Sequence, residues 1–253
     1  MNIIISLKDV TAMYGKDVAL QRVNLEVKDN DFIGVIGPNG GGKTTLIKLM
    51  TGLLKPASGN INFPEKDTHI GYLPQQSFID TKFPISVLEI VLSGLMSNHN
   101  RIHQFSAADK ALAKNTLEKM GIAGLAHRTV KQLSGGQLQR ALIGRALISS
   151  PRLLILDEPG TYVDNRFESD LYQLLIELNK TMAIVIVSHD VGTISYYVKT
   201  IACVNKTLHY HRSNIITEEQ LASYNCPLQI ITHGDVPHTV LQKHEHNHEH
   251  SHD

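Results

Sequence analysis

No apolar run in the chain approaches the roughly 20 residues that a membrane-spanning helix needs. The opening residues, Met1-Asn2-Ile3-Ile4-Ile5-Ser6-Leu7-Lys8, lack the charged-then-apolar layout of a secretory signal. Cysteine is scarce. Cys203 and Cys226 are the two present, and without a secretory signal they read as reduced, structural thiols. Neither sign of charge is in excess, since 24 Lys and Arg balance 24 Asp and Glu. Phosphate-backbone binders usually carry a basic surplus, so nucleic acid is not expected as a partner. No internal repeat is visible, and the absence of a sustained heptad pattern excludes a long coiled coil. Together these absences point to the cytoplasm.

What is present suits a globular protein. A chain of 253 residues can bury a sizeable core, in one domain or one domain with a subdomain. Asn24-Leu25-Glu26-Val27 alternates like a half-buried strand. Phe32-Ile33-Gly34-Val35-Ile36 is a short apolar run suited to a strand covered on both faces. A glycine loop follows at once, and Leu46-Ile47-Lys48-Leu49-Met50 then reads as the first turns of a helix. Pro56-Ala57-Ser58-Gly59 is a turn signal, and His69-Ile70-Gly71-Tyr72-Leu73 a further strand.

From about 77 to 130 the pattern turns helical. Residues 87–92 form one candidate helix. Residues 107–120 form a clearer one, with Ser106 as cap, Asp109 three residues on and Gly121 after the last turn. Residues 136–150 place Leu138, Ala141, Leu142, Ala146 and Leu147 on one helical face. Leu153-Leu154-Ile155-Leu156 and Ala183-Ile184-Val185-Ile186-Val187 are unbroken apolar strands. Between them Phe167, Leu171, Leu174, Leu175 and Leu178 recur at helical spacing. Strand, helix, strand in this order predicts an α/β fold with a parallel sheet covered on both faces. Residues 77–130 read as a helical insertion between its two halves.

Gly37-Pro38-Asn39-Gly40-Gly41-Gly42-Lys43-Thr44 fits the pattern G-x-x-x-x-G-K-[ST] between a strand and a helix. Glycines let backbone N–H groups turn toward phosphate oxygens, and the helix start adds its positive end. Lys43 can reach the β- and γ-phosphates, and the Thr44 hydroxyl can ligate Mg²⁺. Thr45 supports the turn. Asp157-Glu158 closes an apolar strand, where ligands of doubly wound sheets sit. Neighbouring side chains on a strand point apart, so these two acids divide their work. Asp157 is expected to hold Mg²⁺, and Glu158 to polarise the attacking water.

Leu133-Ser134-Gly135-Gly136-Gln137 completes the pattern. With it, the chain resembles the ATP-binding subunit of an ATP-binding-cassette (ABC) transporter from about residue 7 to residue 215. Seven motifs stand in the order of that family: Tyr14, the glycine loop through Thr45, Gln75 in Tyr72-Leu73-Pro74-Gln75, the 133–137 signature, Leu156-Asp157-Glu158, Asp164, and His189 in Val187-Ser188-His189-Asp190. The resemblance implies a RecA-like parallel-sheet core with an antiparallel β subdomain and an inserted helical subdomain. It implies that Tyr14 stacks on adenine, that Gln75 senses Mg²⁺ and the attacking water, and that His189 sits near the γ-phosphate. Gln76 leaves the glutamine register open by one residue, and Tyr-Leu-Pro favours Gln75. It further implies a homodimer in which Ser134, Gly135, Gly136 and Gln137 of one subunit face the glycine loop of the other, with Asp164 in the loop that crosses between them. Gly160-Thr161-Tyr162-Val163-Asp164 departs from the commoner form of that loop through its bulky Tyr162.

The resemblance also implies integral-membrane permease subunits docked about residues 76–96, and hence a place at the cytoplasmic face of the cell membrane. A metal-binding solute-binding protein is implied indirectly. The stretches 70–75, 80–87 and 233–238 are similar to zinc/manganese-type metal importers, with zinc the first expectation and manganese the second. Iron-chelate or haem importers share parts of them, and a soluble ABC ATPase of the iron–sulfur assembly type is the alternative of another class. In the last ten residues His244, His246, His248, His250 and His252 alternate with Glu245, Asn247, Glu249 and Ser251. An extended chain puts all five imidazoles on one side, a set able to take Zn²⁺. The expected organisation is an ATPase domain over 1–215, an extension over 216–243 and a disordered tail over 244–253.

Overall fold

The strand expected at 32–36 is the spine of the molecule. In the computed structural model, which describes residues 2–65, 68–75, 84–98, 105–160, 165–214, 228–232 and 237–241, β3 (Phe32–Ile36) is buried at every position. It lies in a six-stranded sheet of order β5-β6-β7-β3-β8-β9, built from β5 (Ile70–Leu73), β6 (Leu153–Asp157), β7 (Ala183–Val187), β8 (Thr200–Asn205) and β9 (Thr207–His211). Five strands run parallel and β9 returns antiparallel to β8. Such a sheet needs cover on both faces, because its strands carry apolar side chains alternately up and down.

The alternation can be followed in β3 and β6. Ile33, Val35, Leu153 and Ile155 face a core shared with α1 (Lys43–Met50) and with a three-stranded antiparallel sheet. That sheet has the order β2-β1-β4, from β1 (Ile3–Tyr14), β2 (Asp17–Lys28) and β4 (Ser58–Asn62). Phe32, Ile36, Leu154 and Leu156 face the opposite core, formed with the remaining helices. Those are α2 (Val87–Leu92), α3 (Ala107–Lys119), α4 (Gly135–Leu147), α5 (Asn165–Asn179) and α6 (Val191–Tyr197). Each fully buried Leu, Ile or Phe in these layers contributes about 1.5–3 kcal/mol.

Local signals set several boundaries. Ser106 and Asp109 form a capping box at the start of α3, and Gly121 follows its end at φ +68°. The helix expected from 136 begins one residue earlier, with Ser134 as cap, and ends at Leu147 rather than 150. Ser150, in a left-handed conformation, turns the chain into β6. α2 and α3 stand between β5 and β6 in the chain, joined by a 3₁₀ stretch at Ser93–Asn98 and packed on α4. A hairpin of β10 (Leu228–Thr232) and β11 (Pro237–Leu241) touches α6. No described helix is long and apolar enough to cross a membrane.

Candidate active site

The glycine loop leaves β3 and feeds α1. A Cβ at Gly37 would lie 2.0 Å from the carbonyl oxygen of Val204, so only glycine permits this approach. Gly42 is the N-cap of α1 at φ +105°, and no side chain caps that helix. The first N–H groups of α1 are thus left to an anion. Lys43 is buried and folds back on the loop, its Nζ donating to the carbonyls of Gly37 (2.8 Å) and Pro38 (2.9 Å). Thr44 is exposed while Thr45 is buried.

A cleft of about 450 Å³ opens above this loop. Its lining includes Tyr14 and Ala19 from the antiparallel sheet, Asn39, Gly40, Gly42, Lys43, Thr44 and Thr45 from the loop, and Gln75, Glu158 and His189 from strand ends. Seventy or more residues separate several of these in the chain, and the parallel sheet brings them together at its carboxyl edge.

Asp157 and Glu158 part company there. Asp157 ends β6 and is only 3% exposed. Burial, reinforced by the charge of Glu158, pushes its carboxyl up to about 6, against the opposing pull of Lys43, His189 and Lys48. Glu158 takes a left-handed conformation at φ +52°, and its N–H donates to Val187 O at 3.1 Å. Both of its carboxylate oxygens are engaged. Gln75 Nε2 donates to Oε2 at 2.7 Å, and His189 Nε2 meets Oε1. The three residues are one hydrogen-bonded unit at the edge of the cleft.

His189 is held on both sides. Ser188 Oγ accepts from Asp190 N at 3.0 Å, while Ser188 N donates to Val35 O. Asp190 caps α6, accepting from Thr193 N (3.1 Å) and Thr193 Oγ1 (2.7 Å). Asp190 and Ala19 were not singled out from the sequence. An acid just before the apolar start of a helix is the signal that could have found Asp190.

The residues fit a nucleoside triphosphate with Mg²⁺. The loop is a cradle that a Cβ would fill at Gly37, and α1 presents an uncapped start. Asp157 is a buried carboxylate at the end of β6, next to Glu158 of the cleft lining, while Thr44 and Gln75 line the cleft itself; carboxylate, hydroxyl and amide oxygens are hard donors of the kind Mg²⁺ takes.

Residues 133–137 are placed elsewhere. Ser134 caps α4, accepting from Gln137 N at 3.3 Å, while Ser134 N donates to Gln137 Oε1 at 3.1 Å. None of these residues lines the cleft of their own subunit. Asp164, the rest of the loop from 161, Cys226, and His244, His246, His248, His250 and His252 lie outside the described residues. Among the described residues no cluster of His, Cys, Asp and Glu is arranged for a metal ion.

A glycine loop after β3 at the carboxyl edge of a doubly wound sheet, with paired acids at the end of β6 one strand beyond β7, defines a P-loop nucleoside-triphosphatase. The family described as ABC transporter matches residues 20–161. The zinc uptake system ATP-binding protein ZurA of Listeria innocua is 38% identical over 223 residues, spanning 84% of this chain and 87% of the relative. The manganese transport system ATP-binding protein MntB of Bacillus subtilis is 38% identical over 225 residues, spanning 86% and 90%. A solved structure of a putative metal-chelate type ABC transporter in an inward-facing conformation aligns with TM-score 0.83 at 30% identity, covering 96% of this chain and 98% of that one. The chain belongs to the ABC transporter family and is an ATPase.

Proposed function

We propose that this protein is the ATP-hydrolysing subunit of a divalent-metal importer, with zinc as first cargo and manganese as second. The observation that carries the ATPase half is the Gln75–Glu158–His189 unit at the edge of the phosphate cleft. The metal half is supported by the relatives named for zinc and manganese. In this reading Tyr14 stacks on adenine, and the loop from Gly37 to Thr45 binds the phosphates. Thr44, Asp157 and Gln75 would hold Mg²⁺, which would supply countercharge to the phosphates. Glu158 orients and polarises water for in-line attack, with Lys43 and His189 stabilising charge on the transferring group.

Ser134–Gln137 sit on an exposed helix start away from their own cleft, which supports completion of each site by a second copy in a two-fold dimer. Asp164 belongs to the crossing loop in the same reading. Closure of that dimer drives permease subunits docked about 76–96, at the cytoplasmic face of the membrane. The ATPase unit extends to about 215 with helices inserted over 77–130, followed by the 216–243 extension. The histidines of 244–253 take Zn²⁺ as an accessory site.

The test is reconstitution with the co-purifying permease in proteoliposomes, following uptake of radioactive zinc, manganese and an iron chelate in parallel. ATP-dependent zinc uptake that Glu158→Gln abolishes is the expected result. Uptake of the chelate alone would move the protein to the chelate class suggested by its structural neighbour. ATPase activity with no permease co-purifying and no uptake of any of the three cargoes would favour a soluble role.

A further inference from the structure

α5 and α6 both begin beside the catalytic unit. α5 follows the segment expected to cross the dimer, and α6 follows His189. Tyr172 of α5 is 4% exposed, and its ring lies flat on that of Tyr197 of α6, with centroids 4.3 Å apart and planes within 4°. Ser188, the residue before His189, lines the same cavity as the Tyr172 side chain. A cavity of about 200 Å³ shares Glu158 and His189 with the phosphate cleft, and Tyr172, Ser188 and Asp190 form part of its wall. One side chain therefore stacks on the last turn of α6 and shares a cavity wall with the residues that lead into it.

Packing alone explains a large apolar residue at this helical position, as the neighbouring buried Leu171 and Leu175 show. It does not explain a parallel ring stack across to α6 from a side chain that shares a cavity wall with Ser188, His189 and Glu158. Resting on the catalytic reading above, we propose that Tyr172 is a positioning residue for ATP hydrolysis, holding His189 in line with Glu158 by tying α5 to α6. A small displacement of a positioned group is enough to slow chemistry by one to two orders of magnitude.

The test is a double-mutant cycle on the full chain, with Tyr172→Leu, His189→Ala and the pair, read by single-turnover hydrolysis. Tyr172→Leu should lower the hydrolysis rate about tenfold with KM for ATP within about twofold, and Tyr172→Phe should recover most of the loss. In the His189→Ala background Tyr172→Leu should add less than about twofold, because its effect passes through His189. Labelled-imidazole NMR should show the His189 resonances moving in Tyr172→Leu. Leu175→Ala is the packing control. If it slows hydrolysis as much as Tyr172→Leu at an equal loss of melting temperature, or if the Tyr172 and His189 losses multiply, the proposal is overturned. Wild-type rates in His189→Ala and Glu158→Gln would instead remove the catalytic reading beneath it.

Discussion

Two helices of this molecule begin at glycine-rich segments, and they are finished differently. α1 starts at Gly42 with no side-chain cap, under the cleft that collects Gln75, Glu158 and His189. α4 starts at Ser134 inside a complete capping box with Gln137, and does not line that cleft. Both offer backbone N–H groups to an anion. The first is left open and waits for phosphate. The second satisfies itself with its own hydroxyl and amide, so it can stand in water without a ligand. Uncapped N–H groups are tolerable where a ligand will bind, and costly where nothing is present in the lone subunit.

The comparison can be broken most severely at the open end. Glu158→Gln should cut hydrolysis by about 10²–10⁴-fold while ATP still binds and holds two subunits together, as read by steady-state rate and by size-exclusion with ATP. Normal turnover by this variant would remove Glu158 as the base.

Asp157→Asn tests what the open end costs. A carboxyl pushed up to about 6 means that the native state holds its proton more tightly than the unfolded chain does. Native stability therefore falls as pH rises from about 4 to about 6, and the full penalty stands at pH 7. After discounting for solvent screening, the variant should be about 1–2 kcal/mol more stable at pH 7 and no more stable near pH 4. Denaturant melts at the two pH values, without nucleotide, decide this. Mg²⁺-dependent hydrolysis should be lost in the same variant.

The closed end predicts smaller effects. Ser134→Ala should cost about 1 kcal/mol of stability through its cap and also slow hydrolysis. Ser106→Ala removes the same chemistry from α3, where Ser106 and Asp109 form an equivalent box. It should cost a similar ~1 kcal/mol and leave the rate intact. Equal rate losses in the two would mean that Ser134 serves only to cap. Smallest of all, cutting the chain after Lys243 should leave hydrolysis unchanged and remove zinc binding measured by calorimetry.

How much was legible follows element by element. β3, β6 and β7 were readable because a strand covered on both faces must be apolar throughout. α3 was readable to within a residue because its cap and its terminal glycine are written locally. Only 24–27 of β2 showed clean alternation. β1 shifts register at four places along β2, and Asp9 and Arg22 adopt left-handed conformations, so period two is lost over most of the pair. α6 is only seven residues long, too short to declare a period, and the cap that starts it, Asp190, went unread. Tyr172 was not among the apolar positions read on α5, and its stack on Tyr197 had no trace in the spacing.

By itself the sequence determined the phosphate loop, the pair of acids and the Ser106 cap. Each depends on a few neighbouring residues whose backbone needs are local, such as the glycine at 37 that no Cβ could replace. Only the tertiary structure decided that Gln75 and His189 both close on Glu158, across 83 residues in the first case. It also decided that Asp157 is buried and hard to ionise while Glu158, one residue on, turns into the cleft. The reason is geometric. Strand order in a parallel sheet, rather than distance along the chain, determines which loop ends share an edge, and the desolvation that separates two adjacent acids exists only once that edge is built.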